Sequence, residues 1–187
     1  MLETTYLTNN FLIAMPNLAD SNFLKTVTYI CIHNKEGAMG IVINRPMGVN
    51  LGEILEQMDI KTENPSSIKL PIFNGGPVQK ERGFVLHQPG QKWDAMLTVS
   101  EELNITTSRD IMIAIANNKG PDKVLIALGY AGWGAGQLER EMADNIWINT
   151  PVDNDIIFKT PSNQRWQAAV ASLGIDLTLL SGQVGHA

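Results

Sequence analysis

Residues 26–44 read TVTYICIHNKEGAMGIVIN, two β-rich runs around a polar turn. Thr26 to His33 is dense in β-branched and aromatic side chains, which suit an extended, half-buried backbone. A period of two puts Val27, Tyr29, Cys31 and His33 on one face and Thr28, Ile30 and Ile32 on the other. Both faces are largely apolar, so this strand is expected in the middle of a sheet covered on both sides. Asn34-Lys35-Glu36-Gly37 supplies turn chemistry, and Gly40 to Asn44 returns as a second strand. Pro46 lacks an N–H and is expected to stop the ladder.

Downstream, Asn50 is placed to cap a helix over Leu51–Met58, whose Leu51, Ile54, Leu55 and Met58 share one stripe. Asp59–Ser67 is polar and holds Pro65, as a loop does. Ile68–Phe73, the turn Asn74-Gly75-Gly76-Pro77, Gly83–His87 and Ala95–Ser100 give further strands, with Pro71 demoting the first to an edge or bulge. Thr107 and Asp110 resemble a capping box before a helix that runs to Asn118 and stops at Gly120-Pro121. Lys123–Tyr130 reads as a buried strand, followed by four glycines within Gly129–Gly136 and a helix over Gln137–Asn145. Ile146–Asn149 and Asp155–Phe158 read as short strands, and Pro161 opens a last helix that ends at Gly174. Strict βαβ alternation is absent, so the expected class is α+β, with a mainly antiparallel or mixed sheet and about four helices.

A chain of 187 residues with 44% hydrophobic side chains suits one domain with a sizeable core. The net charge of −5 and pI near 5.1 provide no global attraction to phosphate backbones, and no Lys/Arg cluster supplies a local one. Direct nucleic-acid binding is therefore disfavoured. Cys31 is the single cysteine, so no disulfide forms within the chain. The N-terminus lacks a basic segment, Phe11–Met15 is too short for a signal core, and no apolar run reaches membrane-spanning length. The expectation is a soluble cytoplasmic protein without a membrane contact.

Several side chains could carry chemistry. The Gly129–Gly136 run could form a nest of N–H groups for an anion, or a crossover where backbone passes close to backbone. It contains neither Gly-Lys-Ser/Thr nor GxGxxG, and Trp133 between Gly132 and Gly134 would crowd a pyrophosphate. Cys31 and His33 point the same way on a strand and could pair as thiolate and imidazole. The alternative is a buried thiol, with His33 facing water at the strand end. His33, His87 and His186 with Cys31 lack metal-ligand spacing, so neither metal nor cofactor is expected. No G-x-S-x-G elbow is present, and Glu139, Glu141, Asp153 and Asp155 read as helix-surface and turn carboxylates. Arg45 and Arg82 beside turn residues could hold a carboxylate or phosphate, or lock the turns.

Six blocks, NFLIAMPNLAD (10–20), residues 26–46 ending in GAMGIVINRP, GGPV (75–78), RGFVLH (82–87), ALGYAGWGAGQLE (127–139) and GHA (185–187), together resemble the AlgH/YqgE family of bacterial proteins. The resemblance runs from about residue 5 to 187 and implies a single α+β domain with a bent, split sheet forming a pseudo-barrel. It implies a bacterial cytoplasmic protein but no established activity, substrate or cofactor. One branch of the family is linked to transcriptional control of exopolysaccharide production.

The leading expectation is a non-enzymatic regulatory protein that binds a protein partner or a small anionic ligand. The groove would be lined by glycine-bearing turns and built from Asn44, Arg45, Gly75, Gly76, Arg82, His87, Gly132, Trp133 and Gly134. Two alternatives stand beside it: an enzyme or redox sensor using Cys31 with His33, and a direct DNA-binding regulator. Apolar strand edges and tryptophans also leave room for a homodimer.

Overall fold

The structure, a computed structural model, describes residues 5–16, 23–62 and 64–174. His186, the 185–187 block and positions 17–20 of the first block lie outside the described residues.

The opening stretch forms β2 (Val27–Asn34) and β3 (Gly37–Val42), paired antiparallel. On its other side β2 meets β1 (Asn10–Ala14), which in turn pairs with β10 (Trp147–Pro151). β3 passes the sheet on to β9 (Val124–Gly134) through residues 131–134 of that strand. The earlier part of β9 pairs antiparallel with β6 (Val78–His87) and parallel with β5 (Pro71–Asn74). Beyond β6 lie β8 (Asn104–Thr106) and β7 (Met96–Thr98), while β4 (Pro46–Asn50) pairs with β5 off the main path. One strand thus belongs to two half-sheets, and the whole curls into a half-barrel within an α+β domain.

The half-barrel requires β9 to change partners, and glycines permit it. Gly129 has φ +79° and Gly76 has φ +151°, both in the region that side chains avoid. Gly75 N–H donates to the Leu128 carbonyl at 2.8 Å, and the Gly75 carbonyl accepts from Val42 N–H at 2.9 Å. A Cβ at Gly129 would collide with the Gly76 carbonyl, and one at Gly76 with the backbone of Tyr130. The run 129–134 is therefore strand, with main chain packed on main chain, and not a free loop.

Side chains from both half-sheets meet inside the curl. Phe11, Tyr29 and Cys31 join Phe84, Leu86 and Ile105 there, closed by Ile156, Ile157, Ala169 and Val170. A second cluster packs Leu51, Leu55, Ile111 and Ile115 against Ile72, Val85 and Ile126. A third gathers Leu12 and Ile30 with Trp133, Leu138 and Trp147. β2 is covered on both faces, as its composition demands.

Among the described residues there are six α-helices, where about four were expected. α1 (Leu51–Gln57) carries a full capping box between Asn50 and Glu53. α2 (Pro65–Ile68) lies where a loop was expected, started by Asn64 and Pro65. α3 (Arg109–Ala116) has Ser108 at its N-cap position, and the Ser108 hydroxyl donates to Asp110 at 2.5 Å. Thr107 therefore does not cap it. α4 (Gln137–Ala143) follows the glycine run. α5 (Asn154–Phe158) replaces an expected strand, because Asp153 Oδ1 accepts from Asp155 N–H at 3.0 Å and capping overrides the β-branched pair Ile156-Ile157. α6 (Arg165–Ala171) comes after a short 3-10 turn, Ser162–Gln164. Pro46 does not end the ladder but begins β4, opposite Phe73. Strands β1 and β8 are too short to stand out by pattern.

Gly129→Ala should lower the unfolding free energy by about 2–4 kcal/mol, since strain and a backbone collision add. Gly136→Ala, at φ +75° but with open space around it, should cost only about 1 kcal/mol. Urea unfolding of both variants, with the slope checked for constancy, measures the difference.

Candidate functional site

The sheet distributes the residues singled out above over four places. Asn44 and Arg45 hold the turn before β2. The Asn44 carboxamide accepts from Val27 N–H and donates to the Lys25 carbonyl, both at 2.9 Å. Arg45 donates to the Leu24 carbonyl at 2.9 Å. Gly75 and Gly76 form the β9 junction. His87 is fully buried at the far end of β6. Its Nδ1–H donates to the Gln88 carbonyl at 2.9 Å, and its Nε2 pairs with the Thr106 hydroxyl at 2.7 Å. Burial holds its pKa below the ordinary histidine value, opposed by the Gln88 contact. Arg82, Gly132 and Trp133 come together, and they line a groove.

That groove has a volume of about 740 Å³. Its floor shares Met39, Phe84, Ile105 and Tyr130 with the inner core. Leu97 and Met96 form one wall. Trp133 is buried, and its ring packs edge-on to Trp147 with centroids 6.1 Å apart, so it anchors the wall more than it offers a face. Gly134 lies just past the groove, its N–H donating to Gln137 at 3.0 Å.

A bulge puts Arg82 there. Val78 faces Tyr130 and Gly83 faces Leu128, so the four residues 79–82 stand opposite Gly129 alone. Gln79 at φ +47° turns the chain out of the ladder. The bulge divides its charges, with Arg82 on this groove and Lys80 and Glu81 on a second of about 540 Å³ across the sheet. The Arg82 guanidinium sits 5.4 Å from the Phe84 ring centroid and donates to Gln79 at 3.4 Å. It is the charged residue among those lining the larger groove.

His33 is not at the surface, contrary to expectation. Its side chain is buried, stacked edge-on against Tyr6 with centroids 5.1 Å apart. Leu7 N–H donates to Nδ1 at 2.9 Å, so Nε2 carries the proton and donates to the Glu139 carboxylate. Glu139, read from sequence as a surface carboxylate, is instead the clasp between β2 and α4. No local signal could show this, because the two residues are 106 apart in the chain.

Cys31 has different neighbours. Its thiol is buried, lies 3.8 Å from the Tyr29 carbonyl, and is pushed up to about 12 by desolvation. The imidazole two residues on is committed to Leu7 and Glu139 and is not presented to the sulfur. α4 after Gly136 carries Glu139 in its first turn and has no side-chain cap hydrogen bond. Among the described residues no cluster of three or more His, Cys, Asp or Glu could hold a metal ion, and no helix is long and apolar enough to cross a membrane.

Comparison with known proteins places this architecture. A family model described as AlgH-like matches residues 11–178. A UPF0301 protein of Thioalkalivibrio sulfidiphilus, Tgr7_2910, is 57% identical over 187 residues, all of both chains. A UPF0301 protein of Nitrosococcus oceani is 54% identical over the same span, again all of both chains. The solution structure of the AlgH protein from Pseudomonas aeruginosa superposes with a TM-score of 0.81 at 51% identity, covering 100% of this chain and 99% of that one. A crystal structure of protein DIP2367 from Corynebacterium diphtheriae shares the fold at a TM-score of 0.72 and 17% identity, covering 96% and 93% of the two chains. With fold and sequence in agreement, the chain belongs to the AlgH-like family.

Proposed function

We propose that this chain is a non-enzymatic binding protein with a regulatory role, acting through the groove under Arg82. The observation that carries the reading is the bulge at 79–82, which interrupts a strand to hold one guanidinium over an aromatic floor. A cation at the rim of an apolar cavity of this size suits a ligand with one anionic group and an apolar body. The groove is concave and continuous with a packed core, so ligand would meet a preformed surface. Gly75, Gly76 and His87 serve this reading indirectly, by holding β9 and β6, while Asn44 and Arg45 brace the start of β2.

The thiol alternative finds less support. A nucleophilic cysteine needs access and a base or positive field, and Cys31 sits in the core at 2% exposure.

Decanoate and 1-naphthoate, titrated into the ¹⁵N-labelled protein, should shift the amides of Phe84, Tyr130 and Gly132. Arg82→Ala should weaken that binding about tenfold or more, with the urea midpoint unchanged. Indifference of both probes, or of binding to the substitution, would remove the groove from consideration. Cys31 should resist iodoacetamide at pH 8 in the folded protein and react within minutes in 6 M guanidinium, about the concentration needed to unfold even hyperstable domains. Its raised folded pKa also sets a sign for stability. The Cys31 contribution is constant below the unfolded value near 8.5 and is lost as pH rises toward about 12. Rapid native alkylation would restore the thiol alternative.

A further inference from the structure

β7 is the last strand of the sheet path, and its backbone is half used. The Ala95 carbonyl accepts from Thr107 N–H at 2.9 Å, and Val99 N–H donates to the Leu103 carbonyl at 3.0 Å. Leu97 stands opposite Ile105 in the same register. Antiparallel ladders alternate between bonded and non-bonded pairs, so Ala95, Leu97 and Val99 turn their polar groups toward β8. The N–H and C=O groups of Met96 and Thr98 therefore point away from the sheet, and no strand pairs with that edge among the described residues.

Exposed edges usually carry a guard such as lysine, proline or a bulge. At the other end of the sheet β10 finishes in Pro151. β7, Met-Leu-Thr, is guarded by its shortness alone, with no charge, no proline and no register shift against β8. Leu97 is 40% exposed and lines the same groove as Arg82. An open ladder thus borders a largely apolar groove that holds one guanidinium.

We propose that β7 receives an extended peptide segment of a partner protein as an added strand. Its backbone pairs with Met96 and Thr98, and alternate side chains enter the groove. An acidic residue among them meets Arg82. The inference rests on the groove reading above and names its occupant. Charge complementarity commits the site to a peptide with an acidic residue, since Arg82 is the charged side chain lining the groove. A small anion would fill the groove but leave the edge groups to water. A strand added about 4.8 Å beyond β7 satisfies both.

The test pans phage-displayed random dodecapeptides on the full chain, then measures synthetic versions of those recovered. Peptides alternating apolar residues with Asp or Glu are expected. At saturation, amide exchange at Met96 and Thr98 should slow at least tenfold, with Leu97, already bonded inward, unchanged. Thr98→Pro removes one outward donor and should raise Kd about fivefold or more, and Arg82→Ala should raise it as well. Should Thr98→Pro fail to fold, the exchange pattern of the unsubstituted protein decides alone. No enriched peptide, or no protection at Met96 and Thr98, overturns the added strand. If decanoate or 1-naphthoate still moves Tyr130 and Gly132 in that case, the groove reading survives without it; if neither probe does, both fall. A self-associated species in sedimentation that Thr98→Pro dissociates, with no peptide bound, assigns the edge to a second copy and overturns the proposal.

Discussion

Main chain packed against main chain at Gly75-Gly76 and Gly129-Tyr130 is the constraint on which the architecture depends. β9 has to serve β5 and β6 along one stretch and β3 along the next. A strand with side chains at the changeover could not bring the Gly76 carbonyl so near. Once the crossing is made, the two half-sheets face each other across one interior. Phe11 and Tyr29 from one can then pack with Phe84 and Leu86 from the other. The groove draws on the same interior, since Met39, Phe84, Ile105 and Tyr130 belong to both.

Among the described residues the two histidines and Arg165 are each satisfied separately, not pooled into one cluster. His33 is spent on Leu7 and Glu139, His87 on Gln88 and Thr106. Arg165 is buried under α6, where it donates to the carbonyls of Thr160 and Ile43 and lies 4.9 Å from the Phe73 ring centroid. Desolvation pushes it down to about 10, yet it has neutral carbonyls for partners and fastens the last helix to the end of β3. Each of these residues has the chemistry of a catalyst and the connections of a strut. Arg82 differs because the bulge frees it from the ladder and turns it toward open space.

The outline of the fold was legible where pattern is dense. The β2–β3 pair, the capped helix after Asn50 and the strand leading into the glycine run all follow from periodicity and turn chemistry. Short elements were not. β1 and β8 have too few residues for a period to show, and at α5 one capping aspartate outweighed two isoleucines. For the site, Arg82, Gly132 and Trp133 were legible as unusual residues, and they do share a groove. Asn44, Arg45 and His87, chosen on the same grounds, brace other parts of the sheet.

Sequence by itself determined the α+β class and the doubly covered β2 strand, and offered close backbone contact as one of two readings of the glycines, because these depend on residues near one another in the chain. Tertiary structure alone decided which side chains meet. His33 finds Glu139, Leu97 and Arg82 line one groove, and Cys31 is buried in the core, since a curled sheet sets neighbours by strand order and not by distance along the chain.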